Sequence, residues 1–198
     1  MEQQSQQWFA ERAKRLTASD FGSAAGLKGA YKSRQALWRI KTQREFIEPN
    51  EFMLFGTEYE PVARHRYQVI SGNLVDDVGL VIHPDHDFLG ASPDGVIPAV
   101  GLLEIKCRQS EPHESISDQF VAQIQGQLAC SQLDKCHFCS WSPNGTRIWE
   151  VVRNHDYWNW LFPLLTEFWE FIESDTEPSR LSGKRVYDGE IDVKLLHG

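Results

Sequence analysis

The chain has 198 residues, 41% hydrophobic and 24% charged, which are globular values that exclude a disordered polar chain. No apolar run approaches the roughly 20 residues that cross a bilayer, and the polar start MEQQSQQWFAERAK has no apolar signal core, so the expected setting is the cytoplasm, with no membrane role. A net charge of −8 argues against a nucleic-acid partner until its distribution is read.

Nine Lys or Arg lie between Glu11 and Arg44 against Glu11 and Asp20 alone, a local net of +7. From Glu45 onward acids outnumber bases by 14 (25 against 11). A basic segment on an acidic body fits a one-sided grip on phosphate with acids gathered to hold metal; it equally fits a solvated basic helix face.

Taken in chain order, Trp8, Phe9 and Leu16 predict an amphipathic helix over about residues 5–15. Thr17-Ala-Ser19-Asp20 stops it and supplies an N-cap for a short helix ending near Gly26. After a loop, Ser33 caps a helix carrying Ala36, Leu37, Ile40 and Lys41. The next helix spans about Thr57 to Val69, starting near Tyr59 because Pro61 belongs in a first turn. Residues 74–82, 87–91, 95–98 and 101–107 are short β-rich runs broken by Asn, Asp, Pro and Gly. A helix at about 116–132 precedes strands at 136–142 and 146–153 flanking Pro143-Asn144-Gly145, a hairpin signal. An aromatic-rich helix follows at about 155–174, and the tail beyond Pro178 is unassigned. With no repeat or linker, the expectation is one domain, residues 1–198, built as an α/β sandwich around a mixed sheet.

The chemistry concentrates in Ser92-Pro93-Asp94-Gly95 and Leu103-Glu104-Ile105-Lys106. Asp94 stands at a strand-to-turn boundary. Glu104 and Lys106 are two apart on a strand, so they share one face. A carboxylate and an ammonium on an otherwise apolar strand are costly to desolvate without a purpose. A hard divalent cation bridging Asp94 and Glu104 supplies one: Mg²⁺ suits few carboxylates plus phosphate oxygens, with Mn²⁺ as the alternative. Lys106 then holds or deprotonates the attacking water, and the carbonyl of Ile105 is a candidate further ligand.

Several blocks in order, from about Arg12 to Gln127, resemble the lambda-exonuclease (YqaJ-like) family of the PD-(D/E)XK nuclease superfamily. RAKRLTASDF is similar to its entry motif, which implies Arg12 and Ser19 at a terminal 5′-phosphate. FGTEYEPVA resembles its helix-borne acidic block and implies Glu60 as a metal ligand; Glu58, two residues away, faces elsewhere on a helix. GASPDGV implies a phosphate-gripping Ser92 and the ligand Asp94. GLLEIKC supplies Glu104 and Lys106. FVAQIQGQL implies Gln123 beside the active centre, with Gln125 its rival, and departs from the family at Phe120, where a tyrosine is common. The resemblance implies a restriction-endonuclease-like core with a central mixed sheet flanked by helices. It also implies Mg²⁺-dependent 5′-to-3′ degradation of one strand from double-stranded DNA ends, often by ring-shaped homotrimers that hand the product to a single-strand annealing protein. A site-specific endonuclease and a non-catalytic DNA-end-binding protein are the alternatives.

Apolar residues of Glu51-Phe52-Met53-Leu54 either wedge into the duplex end, Met53 foremost, or cap the core under the helix. Cys136-His137-Phe138-Cys139, with Cys107 and Cys130, reads as reduced buried thiols rather than a zinc or iron–sulfur site, since no second pair follows at ligand spacing. His83-Pro84-Asp85-His86-Asp87 reads as a polar turn, and the aromatic residues of 158–171 as a core face or a subunit contact.

Overall fold

A computed structural model describes residues 3–198. The chain runs through α1 (Gln6–Ala13), β1 (Leu16–Thr17), a 3₁₀ turn (Ala18–Asp20), α2 (Phe21–Ala25), α3 (Arg34–Lys41) and α4 (Glu51–Ser71). It continues with β2 (Val81–Ile82), β3 (Leu89–Ala91), β4 (Gly95–Ile97), β5 (Gly101–Cys107), α5 (Asp118–Ser131), β6 (Lys135–Ser142), β7 (Gly145–Val152), α6 (His155–Glu173) and β8 (Val193–His197). Five strands form a mixed sheet in the order β4-β5-β6-β7-β8. Within this sheet β5 and β6 are the parallel pair, and the crossover between them is α5, as a parallel connection requires. A small sheet, β1-β3-β2, lies apart from it.

The two faces of β5 show how the layers arise. Leu103 and Ile105 point to one side, where they pack with Ala63 and Tyr67 of α4. Leu102 points to the other and meets Phe120, Ile124 and Leu128 of α5. Alternation along a strand thus places one helix on each side of the sheet. A further cluster joins α2, α3 and α6 around Phe21, Leu37, Leu161 and Phe168. Helix α5 is buried from Gln119 to Cys130 because it is covered on both sides. Gly126 permits that: a Cβ there would lie 2.4 Å from the Phe21 ring. Gly26 closes α2 in the left-handed conformation at φ 71°, where a side chain is disfavoured. No helix among the described residues is long and apolar enough to cross a membrane.

Three expectations need correction. Helix α4 begins at Glu51, capped by Asn50, whose side chain accepts from the Met53 amide at 3.0 Å, so Pro61 sits in mid-helix. Pro61 denies a hydrogen bond to the Thr57 carbonyl, but both residues are exposed, and water can serve that carbonyl. Residues 74–82 yield only β2 and a single bridge, Asp76 to Val96. Of the Thr17–Asp20 segment, Thr17 belongs to the two-residue strand β1 and Ala18–Asp20 form a 3₁₀ turn, with Ser19 lying within it rather than capping a helix. The unassigned tail adds β8 to the open edge of β7.

Candidate active site

The Asp94 amide donates to the Leu103 carbonyl at 3.0 Å, and its Oδ2 accepts from the Ile105 amide at 2.6 Å. The carboxylate entering β4 is thereby tied to the strand that carries Glu104 and Lys106. Glu104 is 2% exposed. Its Oε1 accepts from Gln123 Nε2 at 2.6 Å and from the Lys106 ammonium. Its Oε2 accepts from Gln127 Nε2 at 2.6 Å. Every donor to this buried carboxylate comes from its own strand or from α5. The Lys106 Nζ also lies 5.5 Å from the centre of the Phe120 ring.

Helix α4 contributes from the other side. Glu60 is half-buried and Glu58 exposed, as their separation on a helix dictates. Glu60 and Asp94 line one cleft of about 540 Å³, together with Arg64 and Asp77. Burial first, then the charges of Glu104 and Glu60, pushes the Asp94 carboxyl well above its usual range. Burial and Glu104 raise Glu60. For Lys106, burial acts to lower the pKa, but Glu104 and Asp94 outweigh it and the group is raised. Three carboxylates in poorly solvated surroundings thus repel one another with one ammonium among them. That is a charge deficit a divalent cation relieves, and the hard oxygen donors suit Mg²⁺. Among the described residues, no three His, Cys, Asp or Glu side chains are grouped closely enough to hold an ion together, and the Glu104 oxygens are engaged by Lys106, Gln123 and Gln127.

A second constellation adjoins the first. Arg12 Nη2 donates to the hydroxyls of Thr17 and Ser19, each at 3.4 Å, and its guanidinium stacks on Trp8 at 4.4 Å. Trp8 Nε1 donates to Ser92 Oγ at 3.1 Å. Ser92 is therefore linked through Trp8 to Arg12, which bonds Ser19 directly. Burial lowers the Arg12 pKa, while Asp20 and Glu104 oppose it, which places the guanidinium within reach of the field of Glu104. Most of the basic segment is otherwise engaged. Lys14 and Arg15 pair with Glu11, Lys32 and Lys41 with Asp20, Arg34 with Glu167, Arg39 with Glu177 and Arg44 with Asp175. Of the nine cations, Arg12 and Lys28 alone make no ion pair among the described residues.

The structure therefore gathers Asp94, Glu104, Lys106, Gln123 and Glu60 around the end of β5, and Arg12, Ser19 and Ser92 beside them. Ile105 joins through its amide. Met53 does not join either group: Phe52, Met53 and Leu54 are 63%, 50% and 59% exposed on the first turn of α4, which overturns the reading that they cap the core. Gln125, the rival of Gln123, donates to the Val152 carbonyl and accepts from the Asn154 amide, a structural role. Gln127, Trp8 and Thr17 were not singled out by sequence reasoning. The spacing of Gln127 four residues after Gln123, on one helix face, was the signal for the first.

The remaining motifs are packed. Cys136 and Cys139 enter hydrophobic clusters on opposite faces of β6, and all four cysteines are free thiols. His83 is buried and stacks on Trp158 with centroids 5.6 Å apart; His86 stacks on Phe162 at 4.4 Å. The turn is thus an aromatic contact with α6 as well as a polar one. Tyr157, Leu161, Leu165 and Phe168 form the core face of α6.

Residues 7–134 match the family model described as the YqaJ-like viral recombinase domain. Among solved structures, the chain is similar to an alkaline exonuclease (LHK-Exo) from Laribacter hongkongensis, at 28% identity and TM-score 0.74, covering 86% of this chain and 94% of that one. The same protein in complex with dAMP superposes at 27% identity and TM-score 0.75, over the same shares. A phage-related exonuclease from Haemophilus somnus shares the fold at 12% identity and TM-score 0.65, over 81% of this chain and 96% of that one. A curated relative, an uncharacterised protein of Acanthamoeba polyphaga mimivirus, is 29% identical over 170 residues; the match takes in 75% of this chain but only 31% of that longer protein.

Proposed function

Because the chain belongs to the YqaJ-like viral recombinase domain family, we propose that it is a metal-dependent exonuclease that removes nucleotides from the 5′ end of one strand of duplex DNA, with residues 1–198 acting as one nuclease domain. The observation that carries this reading is the meeting of Asp94, Glu104 and Lys106 at one end of β5, with Glu60 and Gln123 brought in from helices on opposite faces of the sheet.

In this reading Asp94 and Glu104, joined by the Ile105 carbonyl and by Glu60 from α4, would hold Mg²⁺ once Glu104 gives up one of its donors to the ion. When bound, the ion neutralises charge on the phosphate and lowers the pKa of a bound water. Lys106 holds the attacking water in line with phosphorus, and Gln123 and Gln127 keep the Glu104 carboxylate in place. The water oxygen bonds to phosphorus as the bond to the 3′ oxygen breaks. The released nucleotide carries the 3′ hydroxyl, and the shortened strand keeps a new 5′-phosphate. Arg12, with the hydroxyls of Ser19 and Ser92, grips that terminal phosphate as a planar, multiply donating cation can. Phe52, Met53 and Leu54 form the wedge that parts the strands ahead of the site, supported by their exposure at the head of α4. Assembly as a ring of three copies and delivery of the product strand to an annealing protein rest on the family resemblance.

The test is linear duplex labelled at one 5′ end, with and without Mg²⁺, beside a circular duplex and the Lys106→Ala variant, using 5′-phosphate and 5′-hydroxyl ends in parallel. The expected result is magnesium-dependent release from linear DNA only, faster from the phosphorylated end and lost in the variant. Cutting of the circle assigns an endonuclease, and absence of cleavage with any divalent metal assigns an end-binding protein. A Met53→Ala chain is expected to slow on blunt duplex; if it keeps the wild-type rate, the wedge is removed from this reading.

A further inference from the structure

The loop between α2 and α3 holds one large aromatic residue in the open. Tyr31 is 68% exposed, yet its surroundings are fixed. The Ala30 amide donates to the Leu27 carbonyl at 3.3 Å. The Lys32 amide donates to Ser23 Oγ at 3.2 Å, and the Lys32 ammonium pairs with Asp20 at 3.3 Å. Ser33 then caps α3. A backbone tied on both sides of an exposed tyrosine costs little entropy to position its ring.

The ring is braced on one side only. It meets Phe120 edge-on, with centroids 6.0 Å apart and an interplanar angle of 63°. Phe120 is the ring beneath the Lys106 ammonium, so Tyr31 and Lys106 flank the same side chain. The charges of Lys106, Arg108 and Glu104 all act on the Tyr31 phenol. On its chain neighbours' side, Lys32 reaches Asp20, the residue after Ser19 in the proposed phosphate clamp. Tyr31 is therefore tied to the cleavage centre through Phe120 and to the segment of the clamp through Lys32, with its free surface toward solvent.

We propose that Tyr31 stacks on the base of the terminal nucleotide, the one spanning the clamped 5′-phosphate and the phosphodiester to be cut. This rests on the exonuclease reading above. An exposed aromatic face beside a phosphate-handling site suits a base, since every base offers a π-face whatever its identity. Tyr31 is thus a substrate-binding residue that reads no sequence, and it sets how firmly the last nucleotide is seated.

The experiment uses a 5′-phosphorylated duplex carrying 2-aminopurine in the terminal nucleotide, with Ca²⁺ in place of Mg²⁺ to prevent cleavage. Binding is read by anisotropy and stacking by quenching of 2-aminopurine. Wild type and Tyr31→Phe are expected to quench alike. Tyr31→Ala is expected to lose the quenching and bind about 5- to 100-fold more weakly, raising KM more than it lowers kcat on magnesium-loaded enzyme. Because the side chain is exposed, its thermal melt should match wild type. If Tyr31→Ala quenches like wild type, or binds more weakly with quenching intact, the stacking role is overturned while the exonuclease reading stands. If wild type itself neither binds duplex ends nor cleaves them, the exonuclease reading falls and takes this inference with it.

Discussion

The two faces of β5 are made from one heptapeptide, GLLEIKC, and differ in almost every physical respect. Toward α4, Leu103 is fully buried and Ile105 nearly so, with Ala63 and Tyr67 closing over them. Toward α5, Glu104 and Lys106 occupy equivalent positions; the desolvation of Glu104 is offset by donors from Gln123 and Gln127, and that of Lys106 by its pairing with Glu104. The apolar face needs only matching volume, which many side chains supply. The polar face needs each lone pair answered by a partner at the right distance, because an unpaired buried charge is expensive. One strand thus separates stability from chemistry by alternation alone, and the two faces should fail in different ways when altered.

The largest effect is expected on the polar face. Lys106→Ala should slow cleavage by about 10²- to 10⁴-fold, read in single-turnover assays on linear duplex, while circular dichroism shows the sheet intact. A variant that unfolds instead would mean that the polar face also holds the fold together, and the division between the faces would not stand. Next comes the apolar face. Leu103→Ala should cost about 2–5 kcal/mol of stability, measured by denaturant unfolding, with the cleavage rate per folded molecule near that of wild type. A large loss of rate in folded Leu103→Ala protein would show that the backbone bond from the Asp94 amide to the Leu103 carbonyl transmits packing into the site.

Features set by neighbouring residues are legible in the chain, and those set by burial are not. The alternation of β5, the hairpin of β6 and β7, and the Ser33 cap of α3 follow from neighbouring residues, and the structure agrees. The start of α4 is not legible because Pro61 points to a first turn near Tyr59, whereas its exposed position lets water take the orphaned Thr57 carbonyl in mid-helix. Strands β1 and β8 escaped notice because two-residue and wholly exposed strands carry no hydrophobic period. In the site, Glu104 and Lys106 announce themselves as charges on an apolar strand, and Asp94 as the carboxylate of the Ser-Pro-Asp-Gly turn before it. Trp8 and Tyr31 do not, since an aromatic residue near a helix reads as core until exposure and partners are known. The basic segment looked like an open patch, but its counter-ions Asp175, Glu167 and Glu177 come from more than a hundred residues away.

The smallest effect extends the comparison along the polar face to its neighbour on β6. Lys106 is in register with Ser140. The Ser140 hydroxyl meets both the amide and Nδ1 of His113 at 2.8 Å, and the His113 ring packs edge-on against Phe120 at 5.1 Å. Burial, with Arg108 and Lys106 nearby, lowers the His113 pKa from 6.5 to about 4. The sign follows. Above pH 6.5 the imidazole is neutral whether the chain is folded or not, and it contributes no slope. Between 6.5 and about 4 the unfolded chain takes up a proton that the folded chain refuses, so stability falls as pH falls through that window. His83 and His137 are also lowered, chiefly by burial, and add to the slope. Asp94 and Glu60, both raised, act in the opposite sense, so thermal melts are read as a difference: across the window the Tm of His113→Phe, which keeps the ring against Phe120 but cannot titrate, should shift upward relative to that of wild type as pH falls. An unchanged slope in that variant would assign the histidine share of the acid sensitivity to His83 and His137, away from the polar face of the sheet.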